Sequence, residues 1–295
     1  HAIDIFSKFQ FNGEHRFLFT MDVKSLYTVI PHQDGLIALR YFLNQRTELD
    51  PPTDTLIRLA ELVLTKNFFS FNGSYYTQET GVAMGTNVGR SYACLFVSYQ
   101  EKQIIESYQG PIPELFKRFV DDGIGATSMT LPNLIKFISF ICDFHPAIKF
   151  VYKIIDQNDQ LPFLDITLGI TGNCISTSIH YKDSDSHSYL NHNSAHNPKC
   201  ITSIPFSQLL RLRRICSDDN DFREKADEMC NFFTDCKYPN EIIQSALHKV
   251  SQFSQSDALK PRTTQDTTTK RIPLVLTYHP LNQKIKHIIY RNFKK

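Results

Sequence analysis

Two acidic side chains stand side by side in Phe119-Val120-Asp121-Asp122-Gly123, and a third, Asp22, lies far upstream in Phe19-Thr20-Met21-Asp22-Val23-Lys24. Adjacent carboxylates between apolar runs repel, and each resists ionising beside its neighbour. A divalent cation removes that cost, and a carboxylate delivered from a separate strand completes an oxygen cage. Mg²⁺ held by two or three carboxylates together with a substrate's phosphates is suited to phosphoryl transfer. One ion lowers the pKa of an attacking hydroxyl, while a second holds the phosphates and offsets charge on the leaving group. Asp22 and Asp121 would ligate directly, with Asp122 as ligand or support and the Val23 carbonyl as a further oxygen. A hairpin turn accounts for Asp122-Gly123, since Asp-Gly favours turns. It does not account for Asp22.

These carboxylates need a scaffold that brings them to one edge of a sheet. Residues 16–24 are apolar and end at a carboxylate, which predicts a buried strand. Residues 31–46 and 51–66 each open with Pro and carry apolar residues at helical spacing, Leu36, Leu39, Phe42 and Leu43, then Leu56, Leu59, Leu62 and Val63. The segment 68–77 turns at Asn72-Gly73 and predicts a hairpin. A loop with three glycines (81–89) and a helix (91–107) follow. Then come a hairpin with the acidic pair at its tip (117–128), a helix (131–144) and strands at 148–155, 163–170 and 174–181. Hairpins outnumber parallel crossovers, so the expected class is α+β with an antiparallel sheet.

After residue 182 the texture changes. Residues 187–198 are polar, and helical patterns follow at 206–216, 222–236 and 241–253. In the second, Phe222, Ala226, Met229 and Phe233 form an apolar stripe. The segment 254–271, rich in Ser, Thr, Gln and Lys, reads as a linker.

A chain of 295 residues with 41% hydrophobic content can bury one large core or two moderate ones. No run approaches a membrane span and there is no secretory h-region, so the expectation is an intracellular, nuclear protein with no membrane partner. Beginning at His1 rather than Met, the chain reads as a fragment or as having a mis-predicted start. Its seven cysteines are dispersed and never in a Cys-x-x-Cys spacing, which suggests reduced, mostly core thiols. His187, His192, His196 and Cys200 do not follow the tight paired spacing of a zinc module. The net charge of +2 hides an asymmetry, because residues 260–295 hold nine Lys or Arg against one acid, leaving 23 basic and 29 acidic residues before them. Such an end suits contact with phosphate backbones. It is equally compatible with a solvated tail that has no partner.

Several motifs carry a family likeness. Met-Asp-Val-Lys-Ser-Leu-Tyr-Thr-x-Ile-Pro, Gly-Val-Ala-Met-Gly-Thr, Ser-Tyr-Ala-Cys-Leu-Phe, Arg-Phe-Val-Asp-Asp and Leu-Pro-Phe-Leu-Asp-Ile, in this order and spacing, resemble the reverse transcriptases of Penelope-like retroelements, relatives of the telomerase catalytic subunit. The likeness runs over about residues 16–253. It implies a right-hand polymerase palm at 1–182 with truncated fingers, an all-α, helix-turn-helix-like thumb at 183–253, and a basic linker and tail at 254–295. The activity implied is RNA-directed DNA polymerisation, extending a primer 3′-OH with deoxynucleoside triphosphates on an RNA or DNA template. Asp22, Asp121 and Asp122 would hold two Mg²⁺ ions, with Mn²⁺ as a substitute.

The resemblance also assigns roles residue by residue. Tyr27 falls where such enzymes set a bulky side chain against a ribose 2′-hydroxyl, and its alternative is a core aromatic. Gly81-Val82-Ala83-Met84-Gly85-Thr86 matches a loop that cradles template and incoming nucleotide, with glycines allowing close backbone approach. Lys149 sits near the position of a general acid for pyrophosphate, or is a surface lysine. Read from the strand itself rather than the resemblance, Lys24, alternating with Asp22, would screen the carboxylates or touch phosphate, or equally form a structural ion pair. Arg211, Arg213 and Arg214 could grip the primer–template backbone while Leu209, Leu212 and Cys216 face the core, or they line a solvated helix face.

Four departures stand out. Arg90 occupies a position where relatives have Pro, and Gly123 one where they have a larger residue that would stiffen the hairpin. Little of the fingers precedes Asp22, and the endonuclease often found downstream is not visible, as though lost by truncation. Two rivals remain: a non-catalytic nucleic-acid-binding remnant working through the helical module, and a metal-dependent nuclease on the same carboxylates, which Tyr27 and the 81–86 loop disfavour.

Overall fold

The computed structural model describes residues 2–260 and, beyond them, 279, 285, 288, 289, 291 and 292. Most of the basic tail expected to meet nucleic acid therefore lies outside the described residues. The chain forms two units. One comprises residues 9–164 and 169–175. The other comprises helix α1 (Ala2–Lys8), residues 165–168 and the chain from Ser176. The division falls inside a hairpin, ahead of the change in composition after residue 182.

In the first unit, β1 (Phe17–Val23) is followed by the one-turn α2 (Leu26–Val29), by α3 (His32–Leu43) and by α4 (Thr53–Thr65). The hairpin of β2 (Phe68–Phe71) and β3 (Ser74–Thr77) comes next, then α5 (Gly89–Ser107), β4 (Leu115–Phe119), β5 (Asp122–Thr127), α6 (Leu131–Phe144) and β6 (Phe150–Ile155). The main sheet has the order β4-β5-β1-β6, with every neighbouring pair antiparallel. Threading β1, α5, β4, β5, α6 and β6 through that order gives the split β-α-β-β-α-β arrangement. It sets β1 centrally, flanked by β5, whose first residue is Asp122.

Side-chain alternation sorts the faces of β1. Phe19 and Met21 enter a core with Ile104 of α5 and Leu134, Phe137, Ile138 and Ile141 of α6. Val23 and Leu26 join a second cluster with Leu36, Ile57, Tyr92 and Phe96. Thr20 and Asp22 fall on the opposite face, and Asp22 is exposed. Gly125 lies in register with Phe19, and a Cβ there would stand 2.1 Å from the Phe19 ring, so only glycine fits. Gly123, expected to loosen the hairpin, is instead a buried, paired member of β5.

The Asn72-Gly73 turn forms as expected. Both residues take positive φ, 49° and 78°, which suits a two-residue turn whose twist matches the strands. The expected strand at 163–170 is broken into β7 (Leu161–Phe163) and β8 (Ile166–Thr171), with Leu164 between them at φ 57°. These two and β9 (Cys174–Ile179) make a small sheet of order β7-β8-β9.

In the second unit, α7 (Pro198–Ile215) packs with α8 (Asp219–Asp235), α9 (Asn240–Ser251) and α10 (Gln255–Leu259) around buried Leu209, Leu212, Cys216, Phe222, Met229, Phe233, Ile243 and Val250. Helix α7 begins eight residues before the expected 206. Pro198 takes a first-turn position, and the Asn197 side chain accepts from the Lys199 N–H as its cap. Pro205 sits inside the helix, buried. Helix α10 also occupies part of the expected linker. The Ser254 side chain caps it, and Ala258 is buried. Among the seven cysteines only Cys216 is buried, while Cys174 and Cys200 are exposed, which corrects the expectation of mostly core thiols. No helix among the described residues is long and apolar enough to cross a membrane.

Candidate active site

The site begins with the pairing of β1 and β5. Asp22 lies directly opposite Asp122. The Val23 N–H donates to the Asp121 carbonyl at 3.3 Å, which ties the β4–β5 turn to the end of β1. Although Asp22 is exposed as a residue, partial desolvation pushes its carboxyl above the ordinary value, the negative charge of Asp121 pushes it further, and a hydrogen bond from the Val23 backbone opposes both. The carboxylates of Asp22 and Asp121 therefore repel across one site. Asp122 is set on the face of Asp22 by the register, but among the described residues no group of three or more His, Cys, Asp or Glu side chains is gathered for a metal ion. The donor chemistry still fits a divalent cation, because hard carboxylate oxygens repel until a cation sits between them.

The turn itself is unusual. Val120, β-branched, takes φ 60°, a conformation that L side chains disfavour. Two arginines bracket it. Arg90, at the start of α5, places its guanidinium 5.7 Å from the centre of the Phe119 ring. Arg118 donates from Nη1 to the Val120 carbonyl, from Nε and Nη2 to the two Glu101 oxygens at 2.6 and 2.9 Å, and from Nη2 to Ser98 Oγ at 2.9 Å. Arg118 was missed in the sequence. The signal was there: it is in phase with Phe116 and out of phase with exposed Lys117, which puts an arginine on the inward face of β4.

The loop at 81–86 is pinned to the segment after β1. Gly81 takes φ 73°, and a Cβ would stand 2.3 Å from the Tyr27 carbonyl, so a side chain is excluded twice over. The Gly81 N–H donates to the Ile30 carbonyl at 3.0 Å, and the Val82 N–H to the Tyr27 carbonyl at 2.6 Å. His32 Nε2 meets the Gly81 carbonyl at 2.8 Å. Thr86 Oγ1 donates to the Ala83 carbonyl and accepts from the Gly89 N–H, closing the loop onto α5. Between these anchors Met84 is 75% exposed, and Gly85, at φ 98°, has open space on its Cβ side. Tyr27 is partly buried against the core of Val23, Leu26 and Tyr92. Lys24 and Lys149 are strand neighbours through a Lys24 N–H bond to the Lys149 carbonyl, and both side chains are exposed.

The arginines of α7 do not form the common face expected of them. Arg213 is buried, at 4% side-chain exposure. It pairs with Asp219 at 2.7 Å and lies 4.8 Å from the centre of the Phe222 ring, so it has no surface to offer a phosphate backbone. Arg214 donates from Nε to the Ala258 carbonyl. Arg211 pairs with Asp165 and stays half-exposed. Of the histidines weighed as ligands, His187 stacks on Phe232 at 4.1 Å and His192 packs edge-on against Tyr238.

A family model for an animal helix-turn-helix domain matches residues 188–248. No significant match was found among curated protein sequences. Among solved structures, telomerase from Candida albicans in complex with a fragment of telomeric RNA is similar at TM-score 0.55 and 11% identity, covering 79% of this chain and 40% of that one. The RNA-dependent RNA polymerase of a human picobirnavirus is similar at TM-score 0.52 and 11% identity, with 84% and 48% covered. Apo telomerase from Candida tropicalis is similar at TM-score 0.50 and 14% identity, with 80% and 42% covered. The chain spans less than half the length of each. What it shares with these polymerases is the fold, mixed α and β with antiparallel sheets.

Proposed function

We propose that this chain is the palm and thumb portion of an RNA-directed DNA polymerase of the Penelope-like retroelement type, working in the nucleus on a primed RNA or DNA template. The observation that carries the reading is the join between the end of β1 and the β4–β5 turn, where Asp22 lies opposite Asp122 and the Val23 N–H bonds the Asp121 carbonyl, bringing acidic residues from distant segments together. Bound Mg²⁺ would activate the primer 3′-hydroxyl and offset charge on the triphosphate. Asp22 and Asp121 would hold it, with Asp122 and the Val23 carbonyl beside them.

The rest of the site positions substrates. Met84 and Gly85 present an open stretch of backbone between fixed anchors, suited to a base pair lying against the loop. Tyr27 has its backbone committed to that loop and its ring supported by the core, so a ribose 2′-hydroxyl would meet an unyielding edge. Exposed Lys24 and Lys149 add positive charge near the carboxylates, where a deoxynucleoside triphosphate would bring its phosphates.

The test is primer extension with Mg²⁺ on RNA and DNA templates, comparing the chain with Asp121→Ala. Incorporation by the parent that is lost on substitution supports the polymerase. No incorporation by either protein, with nucleic-acid binding retained, supports a second reading: a remnant that binds nucleic acid through its helix-turn-helix-like unit. The match over 188–248 favours that alternative. Against it, α8 carries Asp219, Asp221, Glu224, Asp227, Glu228 and Asp235 against Arg223 and Lys225, a poor surface for phosphates.

A further inference from the structure

We infer that Arg118 is a positioning residue that holds the β4–β5 turn in the conformation presenting Asp121, an assignment that rests on the polymerase reading of the site. A guanidinium that merely paired with Glu101 would need two donors. Arg118 uses both oxygens of Glu101, adds Ser98 Oγ, and turns its remaining nitrogen to the carbonyl of Val120, the residue just before Asp121. Its side chain is 11% exposed and Glu101 is 26% exposed, so little water competes for these bonds. The bidentate fork fixes the plane of the guanidinium, and with it the direction of the bond to Val120.

The turn needs such a hold. Val120 at φ 60° has a branched Cβ in a region that costs energy, and strained residues persist only where their surroundings over-determine them. Behind the turn lies a small apolar cavity lined by Met21, Val97, Phe116 and Ile141 that reaches Asp121, Glu101 and Arg118, so the turn is not fully packed from behind. The same bracing reaches the nucleotide loop. Glu101 and Ser98 belong to α5, whose first turn is joined by Thr86 to the 81–86 loop. One rigid helix thus references both the carboxylate turn and the loop. Lysine cannot replace the arginine, because an ammonium is a point charge without the planar fork.

The experiment uses the whole chain and three substitutions, Arg118→Gln, Arg118→Lys and Val120→Gly, the last accepting positive φ without strain. Primer extension should show kcat lowered about ten- to a hundredfold by either Arg118 substitution, with KM for the nucleotide changed less than about threefold, as expected for a misplaced rather than missing group. In the Val120→Gly background the same substitutions should cost several-fold less. Amide exchange provides a readout independent of turnover. The Val23 N–H, bonded to the Asp121 carbonyl, should exchange faster in both Arg118 variants while amides of α6 keep their protection. Unchanged kcat and unchanged Val23 exchange in both variants would overturn the assignment. So would a kcat loss that is equally large with Val120 intact and in the Val120→Gly background. If the parent chain does not extend primers, the polymerase reading fails by itself, and Val23 exchange alone decides whether the clamp stands.

Discussion

Two arginines, one in each unit, show how little residue type reveals. Arg118, partly buried, and Arg213, buried, each pair a guanidinium with a carboxylate. Arg213 directs the rest of its surface to the Phe222 ring and the first turn of α8, and so fixes a helix–helix joint. Arg118 directs its remaining donor to the backbone beside Asp121. The units differ in the same sense as wholes. Around the sheet edge, Asp22, Lys24 and Lys149 remain exposed. In the helical unit the three α7 arginines are taken up by Asp165, Asp219 and Ala258. Basic charge remains open at Lys24 and Lys149 beside the motifs, while the three arginines of α7 are engaged within the fold.

This contrast can be broken. The largest effect is expected for Asp22→Asn, which should lower primer extension on the order of a thousandfold while leaving template binding intact, read by steady-state rates and a binding titration. Arg213→Ala should cost about 2–3 kcal/mol of folding stability by denaturant titration, through lost packing on Phe222 and lost charge-assisted bonds. Its nucleic-acid affinity, measured where the protein is still folded, should stay at the parent's level, and a large drop would return Arg213 to the interface. Arg211→Ala, removing a half-exposed pair, should cost less than about 1 kcal/mol. The smallest effect is a pH dependence. Because the folded state raises the Asp22 pKa, the native protein binds this proton more tightly than the unfolded chain does. Stability from this group is therefore present below the ordinary carboxylate pKa and falls as pH rises through the raised one. Asp22→Asn should remove that slope and raise the neutral-pH Tm slightly, and Mg²⁺ should raise the Tm of the parent more than that of the variant.

Local features were legible in the chain. Helix α6 runs over 131–144 as its periodicity indicates, and Asn72-Gly73 forms the turn its dipeptide predicts. Helix α7 begins earlier than its expected start at 206 because its opening is set by Pro198 and the Asn197 cap, while Pro205 is tolerated inside the helix. The strand at 163–170 was over-extended because nothing in Leu164 announces a positive φ. Within the candidate site, Asp22 and Asp121 could be named from spacing and charge. The buried state of Arg213 was signalled only by its helical phase, four residues after Leu209, while its partners Asp219 and Phe222 come from α8.

What the amino-acid order by itself determined is the set of local elements and the chemistry on offer, since periodicity, turn dipeptides and adjacent carboxylates act over a few residues. Which charges meet was decided by tertiary structure alone. The pairing of Asp22 with Asp122, the approach of Asp121, and the reach of Arg118 from β4 to Glu101 on α5 join segments far apart in the chain. Electrostatic and hydrogen-bond energies depend on distance and burial, and neither quantity exists until the sheet and its helices have closed around them.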